Sequence, residues 1–291
     1  MILLGLQNDL DAGAALLVDG KLIGAVNEER FTRVKLQRGF PSCSIEFLLR
    51  HAGLSIQDVD QVVYGWNGPQ GIEASQTLAE LIDRSLDAAL SDPSLAELVR
   101  QRVASELKNQ AGNLAVVKKR VAELGFARRI VQVDHHKSHA SAALRTSPFD
   151  EALVVTMDGK GDFRSASVWH GRGDELLPLD SLSTLDSPGY FYAIITKCLG
   201  FKPERHEGKV TGLAAMGDPE KLLAVMQNVI RFEGGKIRTN LGPWYRPWFV
   251  GPEGVPALWR AIEKHSREDI AAAAQAQFEH VICAYVRRFV E

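Results

Sequence analysis

The sequence predicts a mixed α/β fold in which one arrangement of strands occurs twice. Short apolar strand patterns separated by turn residues open the chain at residues 2–6, 14–18 and 22–26. A second set of three strand patterns appears later, at residues 152–157, 165–169 and 175–179. Segments with helical spacing of their apolar residues lie between and after these sets. Alternating strands and helices predict a layered α/β structure.

The composition describes a soluble globular protein of one large or two modest domains, with 291 residues, 45% hydrophobic and 24% charged. A net charge of -2 argues against bulk binding of nucleic acid. The cysteines, Cys43, Cys198 and Cys283, are too few and too scattered for a disulfide framework or a cysteine metal cluster. The sequence has neither a secretory signal pattern nor an apolar run of transmembrane length. We therefore expect a cytoplasmic protein without membrane or nucleic-acid partners.

The first set of strands continues into further α/β elements. Asp19 and Gly20 form a hairpin turn between the second and third strands. A helix is predicted over about residues 44–51, with Gly53 as its stop signal. A strand at residues 61–64 follows. These elements extend the first sheet and cover it with a helix.

A long helical insert is predicted over about residues 72–124. Its apolar side chains recur every three to four residues, and they include Leu78, Leu81, Ile82, Leu86 and Leu90. The pattern is interrupted at Asp92 and Pro93. We expect residues 1–150 to form a first half that carries this insert and residues 151–291 to form a second half.

Two histidines provide the most specific chemical signal. His135 and His139 lie four residues apart, where a predicted strand at residues 129–133 passes into a helix. Two imidazoles at this spacing share one helix face and can bind one metal ion. Asp158, after the first strand of the second set, is a candidate third ligand. Two imidazoles and a carboxylate suit iron, zinc or manganese, whereas the alternative is a pair of solvated or hydrogen-bonded histidines.

The two sets of strands share an order of strand, acidic loop, strand, turn and strand. The acidic residues of the two loops are Asp9, Asp11, Asp158 and Asp162. This duplicated order is the plan of the actin and sugar-kinase superfold, in which two halves face each other across a nucleotide cleft. Backbone amides around Gly159 and Gly161 would approach phosphate there.

Six motifs occur in order along the chain, namely DAGAALLVDG at residues 11–20, EERFTR at 28–33, GFP at 39–41, HHKSHA at 135–140, MDG at 157–159 and GKVTGLA at 208–214. Together they resemble the amino-terminal part of the O-carbamoyltransferases of the nodulation and antibiotic-tailoring type. The resemblance extends from Gly5 to about Val290. It is more specific than any single motif.

The resemblance implies a reaction in two parts. Carbamoyl phosphate and ATP give a carbamoyl-adenylate, and its carbamoyl group then passes to a hydroxyl of a small acceptor. The second step belongs to the part matched here, which is similar in fold to the tRNA threonylcarbamoyl transferase. There a divalent metal, with iron as the first choice, contacts the nucleotide phosphate. By position, His135, His139 and Asp158 are the implied ligands.

Two further residues are candidates for catalysis. Asp11 is our candidate for the base that activates the hydroxyl, although it can also serve only to cap its loop. Leu10 stands where the resembled family has a histidine. Lys209 is a candidate contact to carbamoyl or phosphate oxygens, and the alternative is a solvated lysine at a helix start. Its segment is not a phosphate loop of the Walker type, because Pro203 and Val210 replace required residues.

Three other segments carry weaker signals. The charged residues between 28 and 38 indicate a solvated edge, or else contacts to acceptor or phosphate. The aromatic segment at residues 244–249 indicates a packed loop or a surface that stacks on a sugar ring. An amphipathic helix at residues 269–290 has an apolar stripe that we expect to stay partly uncovered unless another chain packs on it.

The resemblance also implies a further carboxy-terminal part that completes the nucleotide cleft and makes the adenylate. We therefore expect activity to need that part, and we expect a partner chain or a homo-oligomer to complete the site. A noncatalytic remnant that binds metal or nucleotide and acts through a partner is the main alternative. A metal-dependent hydrolase is a third. Acceptor choice depends on pocket shape, so the sequence does not identify the acceptor.

Overall fold

The structure, a computed structural model, describes residues 1–66 and 93–290. Its contacts define two compact units, each formed by two stretches of chain. The first consists of Met1–Gly71 and Ala104–Ser138, and the second of Ile72–Val103 and His139–Glu291. The helical pattern expected over residues 72–92 lies outside the described residues. The division into duplicated halves at residue 150 stays a prediction, because compactness does not test duplication.

The first unit contains a sheet with the strand order β3-β2-β1-β4-β5. Its strands are β1 (Ile2–Gln7), β2 (Gly13–Val18), β3 (Lys21–Asn27), β4 (Gln61–Tyr64) and β5 (Ile130–Gln132). The first three strands are antiparallel, while β4 pairs in parallel with β1 and β5 with β4. Asp19 and Gly20 turn the β2–β3 hairpin with φ values of 49° and 79°, which match the twist of the strands. These strands confirm the predicted opening of the fold.

Two of the helices with residues in this unit, the second and the third along the chain, share a buried core with the sheet. The helices with residues in this unit are α1 (Glu29–Thr32), α2 (Ser42–Ala52), α3 (Pro93–Glu123) and α4 (His135–Thr146). Ile45, Leu48 and Leu49 of α2 join the same buried cluster as Leu4 and Leu16 of the sheet. The predicted end of α2 is confirmed, because Gly53 follows it in the left-handed conformation that favours glycine.

The second unit repeats the antiparallel strand arrangement. Its strands are β6 (Glu151–Gly161), β7 (Arg164–Arg172), β8 (Glu175–Ser183), β9 (Ile230–Glu233) and β10 (Lys236–Thr239). The first three form an antiparallel sheet in the order β6-β7-β8, and the last two form a separate hairpin. The order of β1, β2 and β3 therefore recurs in β6, β7 and β8, as the sequence predicts.

The largest core of the second unit forms around its helices. These are α5 (Pro188–Cys198), α6 (Glu207–Ala214), α7 (Leu223–Val229), α8 (Pro256–Ile262) and α9 (Arg267–Arg287). The predicted apolar stripe of α9 is mostly covered by this core, which buries Ile270, Ala274, Val281 and Tyr285. The expectation of an uncovered stripe is wrong for these residues, because the unit supplies its own packing surface.

The mixed α/β class is confirmed. Cys43, Cys198 and Cys283 are free thiols, as the sequence predicts. Burial raises the pKa of Cys198 to about 12, so this thiol stays protonated at neutral pH. Within the described stretches of chain, no helix has the length and apolar character needed to cross a membrane.

Candidate metal centre on helix α4 and strand β6

Helix α4 begins at a well-defined cap. The Asp134 carboxylate accepts a hydrogen bond of 2.8 Å from the backbone N–H of Lys137. The Asp134 carbonyl accepts bonds from the backbone and the side chain of Ser138, at 2.9 and 2.8 Å. His135 is thus the first residue of the helix, and His139 follows one turn later on the same face. The predicted histidine helix is confirmed.

The two histidines have different surroundings. His135 is 6% exposed, and its ring centroid lies 4.1 Å from that of Trp66. The Trp66 indole N–H donates in turn to the Gln7 side chain, at 3.1 Å. The side chain of His139 is 56% exposed. Packing therefore restrains the first imidazole, whereas solvent reaches the second.

Asp158 lies in an irregular part of strand β6. Met157 pairs with Ala166 and Gly161 with Arg164, so three residues of β6 stand opposite one residue of β7. Such a bulge re-aims side chains. The loop predicted around Asp158 is therefore shorter than expected, because β6 continues past it to Gly161. The turn itself consists of Asp162 and Phe163, both with positive φ.

The structure brings the three predicted ligands together. The His139 Nε2 atom lies 3.8 Å from an Asp158 carboxylate oxygen. One possible ligand atom from each of His135, His139 and Asp158 lies within 4.8 Å of the other two. Nitrogen and oxygen ligands about 2.1 Å from one ion are roughly 3 to 4 Å apart, so this donor set fits a single ion after small side-chain movements. Two imidazoles and a carboxylate suit a first-row transition metal.

The start of helix α5 holds the backbone around Asp158. The Ser187 hydroxyl donates to the Gly159 carbonyl at 2.8 Å and accepts from the Tyr190 N–H at 3.1 Å. A Cβ atom added at Gly189 would lie only 2.9 Å from the Asp158 carbonyl oxygen and equally close to two backbone atoms of Gly159. The helix start and the bulge are thus in direct backbone contact, which restrains the backbone that carries the Asp158 side chain.

Sequence reasoning missed Ser187 and Gly189. A signal was available, because serine followed by Pro188 is a typical helix start. It predicts a cap at this point but not the neighbour that the cap meets. The neighbour is the backbone of strand β6 around Asp158, and this contact depends on the tertiary fold.

The two predicted catalytic residues, Asp11 and Lys209, do not join this cluster by any described contact. Asp11 is exposed in the turn between β1 and β2, has a φ of 56°, and its carboxylate has no hydrogen-bond partner among the described residues. Lys209 is exposed on α6, with its ammonium nitrogen 5.7 Å from the Phe201 ring centroid. In the described part of the chain, no hydrogen bond or ion pair links Lys209 to Asp158.

Of the two glycines proposed for phosphate binding, Gly159 is the middle residue of the bulge and Gly161 is the first paired residue after it. The Gly159 N–H donates to the Asp158 carboxylate at 2.6 Å, and Gly161 ends β6. The roles of Asp11, Lys209, Gly159 and Gly161 stay predictions.

Glu28, in the charged run after β3, has a structural role. The residue is 4% exposed, and its carboxylate accepts bonds from the backbone N–H groups of Cys43 and Ser44, both at 2.9 Å, and from the Ser44 hydroxyl at 2.7 Å. Burial by itself raises the pKa of Glu28, but these hydrogen bonds outweigh it and the pKa is lowered. Acceptor or phosphate contact is therefore wrong for Glu28, because its oxygens satisfy the first turn of α2.

These features define an α/β protein with a candidate metal centre of two histidines and one carboxylate. The chain belongs to the carbamoyltransferase N-terminus family, whose model matches residues 3–290. Among its relatives, the uncharacterized protein sll1178 of Synechocystis sp. is 34% identical over 287 residues, covering 94% of this chain and 45% of that protein. Nodulation protein NolNO of Sinorhizobium fredii is 34% identical over 290 residues, covering 97% of this chain and 38% of that protein. The chain thus spans less than half the length of these relatives.

Solved structures also resemble the chain at low identity. Component A of (R)-2-hydroxyglutaryl-CoA dehydratase from Acidaminococcus fermentans is 11% identical with a TM-score of 0.47, covering 99% of this chain and 78% of its own. YeaZ from Pseudomonas aeruginosa is 16% identical with a TM-score of 0.35, covering 63% of this chain and 68% of its own.

Proposed function

We propose that this chain carries the transfer step of a carbamoyltransferase, in which a carbamoyl group passes from carbamoyl-adenylate to a hydroxyl of a small-molecule acceptor. The observation that carries the proposal is the family match over residues 3–290. The clustering of His135, His139 and Asp158 supports it. Because the relatives are more than twice as long, we propose that the whole activity needs further protein beyond residues 1–291, in the same polypeptide, in a partner chain or in a homo-oligomer. A cytoplasmic location is part of this proposal.

The chemistry is an acyl transfer with a phosphate leaving group. The acceptor oxygen forms a bond to the carbamoyl carbon, its proton passes to a base, and the bond between that carbon and the phosphate oxygen breaks to release AMP. We assign the base to Asp11, an exposed carboxylate able to accept a proton. We assign contact with phosphate or carbamoyl oxygens to Lys209, and backbone contact with phosphate to Gly159 and Gly161.

His135, His139 and Asp158 would hold a divalent metal, with iron as the first choice and zinc or manganese as alternatives. A bound ion would supply charge stabilisation for the leaving phosphate. The residues of this chain hold the ligands in place. Trp66 packs on His135, and Ser187 holds the carbonyl of Gly159 next to Asp158.

The test is the metal content and ATP affinity of the purified chain, compared with His139→Ala and with His170→Ala. His170 is an exposed histidine on β7 that pairs with Glu151, so its replacement removes an imidazole away from the centre. We expect one divalent ion per chain in the wild type and in His170→Ala, and at least a roughly tenfold loss of metal affinity in His139→Ala. ATP affinity, measured by calorimetry, should fall with the metal.

A folded wild type without metal, or equal metal content in both variants, would overturn the metal assignment. A second candidate is a noncatalytic subunit that binds metal and nucleotide, which Leu10 favours because the resembled family has a histidine there. The two candidates differ in one readout. Only a transferase, assembled with its remaining part, releases AMP from ATP and carbamoyl phosphate in proportion to acceptor.

A further inference from the structure

The second unit contains an open cavity of about 410 Å³ whose lining includes none of the candidate metal ligands. Its walls come from the first turns of α3 and from the segment between β10 and α8. The lining includes Glu97, Gln101, Arg246 and Trp248. This volume lies within the range of small-molecule sites, and the lining combines an aromatic ring with a few polar groups.

The polar groups of the lining carry opposite charges. Glu97 accepts bonds from Arg100 at 3.1 Å and Gln101 at 3.0 Å, which hold its carboxylate in place. A carboxylate has about four acceptor positions, so it can still accept from a ligand hydroxyl. Arg246 is exposed and supplies donors. A neutral ligand with several hydroxyl groups satisfies both donors and acceptors.

The aromatic wall is held by a buried arginine. Arg102 is 3% exposed and donates to the Pro247 carbonyl at 3.1 Å. Its guanidinium carbon lies 5.6 Å from the Trp248 ring centroid and 5.1 Å from that of Tyr190. Trp248 is half-buried and still forms part of the cavity wall. The indole is therefore pre-organised, which reduces the entropy cost of stacking on a ligand ring.

Contacts within the second unit connect this wall to the backbone around Asp158. Tyr190 follows Gly189, the residue in close contact with Asp158 and Gly159. The buried Tyr245 hydroxyl donates to the Ser187 carbonyl at 3.1 Å. The hydrogen bond of Tyr245 thus connects one end of the aromatic segment to the helix start that supports Asp158. Arg102 connects the other end, because it packs on both Trp248 and Tyr190.

We infer that this cavity binds a neutral ring carrying several hydroxyl groups, as the part of the acceptor that does not react. The identification of this ligand as the acceptor rests on the proposed function. The predicted binding of a polyhydroxylated ring does not. Trp248 packs on the apolar face of the ring, while Glu97, Gln101 and Arg246 bind its hydroxyl groups. The site explains why an aromatic segment stands beside charged groups at the surface.

The test is ligand-observed NMR on the chain with methyl α-glucopyranoside and with myo-inositol, each titrated to saturation. Cyclohexanol, a ring with one hydroxyl, is the control ligand. Trp248→Ala should bind either polyol about tenfold more weakly, whereas Trp248→Phe, which keeps an aromatic face, should retain most of the affinity. Melting curves establish that both variants are folded, and Gln101→Ala provides a second variant with an expected weaker affinity.

Binding of at least one polyol, stronger than that of cyclohexanol and weakened in Trp248→Ala, would support the inference. Absence of polyol binding, equal binding of cyclohexanol, or unchanged binding in Trp248→Ala and Gln101→Ala would each overturn it. The titration is repeated with His139→Ala and with a chelator. Polyol binding should persist there, so a failed metal centre and a failed cavity give different results.

Discussion

Gly189 and Asp158 are in backbone contact: a Cβ atom at position 189 would stand 2.9 Å from the Asp158 carbonyl oxygen. Real Cβ atoms do not approach backbone atoms this closely, so any larger residue must displace the helix start or the strand bulge. The contact makes a glycine part of the candidate metal centre although it offers no ligand.

Gly189→Ala should therefore weaken metal binding through displacement of Asp158. Changes in residues that orient metal ligands typically cost roughly 10- to 100-fold in affinity, and we expect a loss in that range. Overpacking should also lower the free energy of unfolding by about 1–3 kcal/mol. The measurements are metal titration and denaturant unfolding of the same samples.

Gly212→Ala is the matched control. Gly212 lies in helix α6, and a Cβ atom there would meet no atom within 4 Å. The replacement should raise the unfolding free energy by up to about 1 kcal/mol, because alanine favours helix. An alanine at 189 that leaves both stability and metal affinity unchanged would contradict the predicted displacement.

Ser187→Ala should affect both stability and metal binding. It removes the cap of α5 and the hydrogen bond to the Gly159 carbonyl. We expect a loss of about 1–2 kcal/mol in unfolding free energy and a measurable loss of metal affinity.

Ser266→Ala is the control that separates the loss of a helix cap from the loss of metal affinity. Ser266 caps α9 by accepting from the Asp269 N–H at 3.1 Å, a bond of the same kind as that between Ser187 and Tyr190. It should cost about 1 kcal/mol through the lost cap, with metal affinity retained. Equal metal affinities for the two alanine variants would show that Ser187 acts only as a cap.

Glu28→Gln should destabilise the first unit. An amide in place of the carboxylate cannot accept all three bonds from Cys43 and Ser44, so we expect a loss of about 1.5–3 kcal/mol in unfolding free energy. Glu46→Gln, at an exposed position of α2, should change it by less than about 0.5 kcal/mol. Urea unfolding at neutral pH compares the two, and a Glu28→Gln midpoint as high as that of Glu46→Gln would refute the capping role.

At acidic pH, the difference in unfolding free energy between the wild type and Glu28→Gln should become smaller. The pKa of Glu28 is lowered in the folded state from its ordinary value of 4.5. The charged carboxylate therefore contributes stability that is fully present above pH 4.5 and is lost as pH falls through the folded-state pKa. Unfolding of both proteins between pH 7 and 3 measures the effect, and a difference that stays constant or widens below pH 4.5 would contradict it.

Much of the secondary structure followed from local patterns. The first three strands, the Asp19 and Gly20 turn and the end of α2 at Gly53 agree with prediction, because each depends on short-range periodicity or turn chemistry. The extent of β6 beyond Met157 did not follow. Asp158, Gly159 and Lys160 are typical of a loop, and only their opposition to Ser165 makes them a bulge in a strand.

The candidate metal centre, too, could be predicted from the sequence only in part. Helix spacing alone placed His135 and His139 on one face, since four residues make about one turn. The position of Asp158 after a predicted strand makes it a candidate third ligand. Its approach to His139 depends on the bulge in β6. The supporting contacts of Trp66 and Gly189 come from residues far away in the chain.

The sequence by itself determined the α/β class, the order of the main elements and the residue types of the candidate metal centre, because periodicity, turn chemistry and helix spacing are local properties. Only the tertiary structure decided that Glu28 caps α2, that the α9 stripe is covered, and that α5 supports Asp158. Each of these depends on which distant segments meet, and packing against a shared core decides that. Local sequence patterns do not specify these individual long-range contacts.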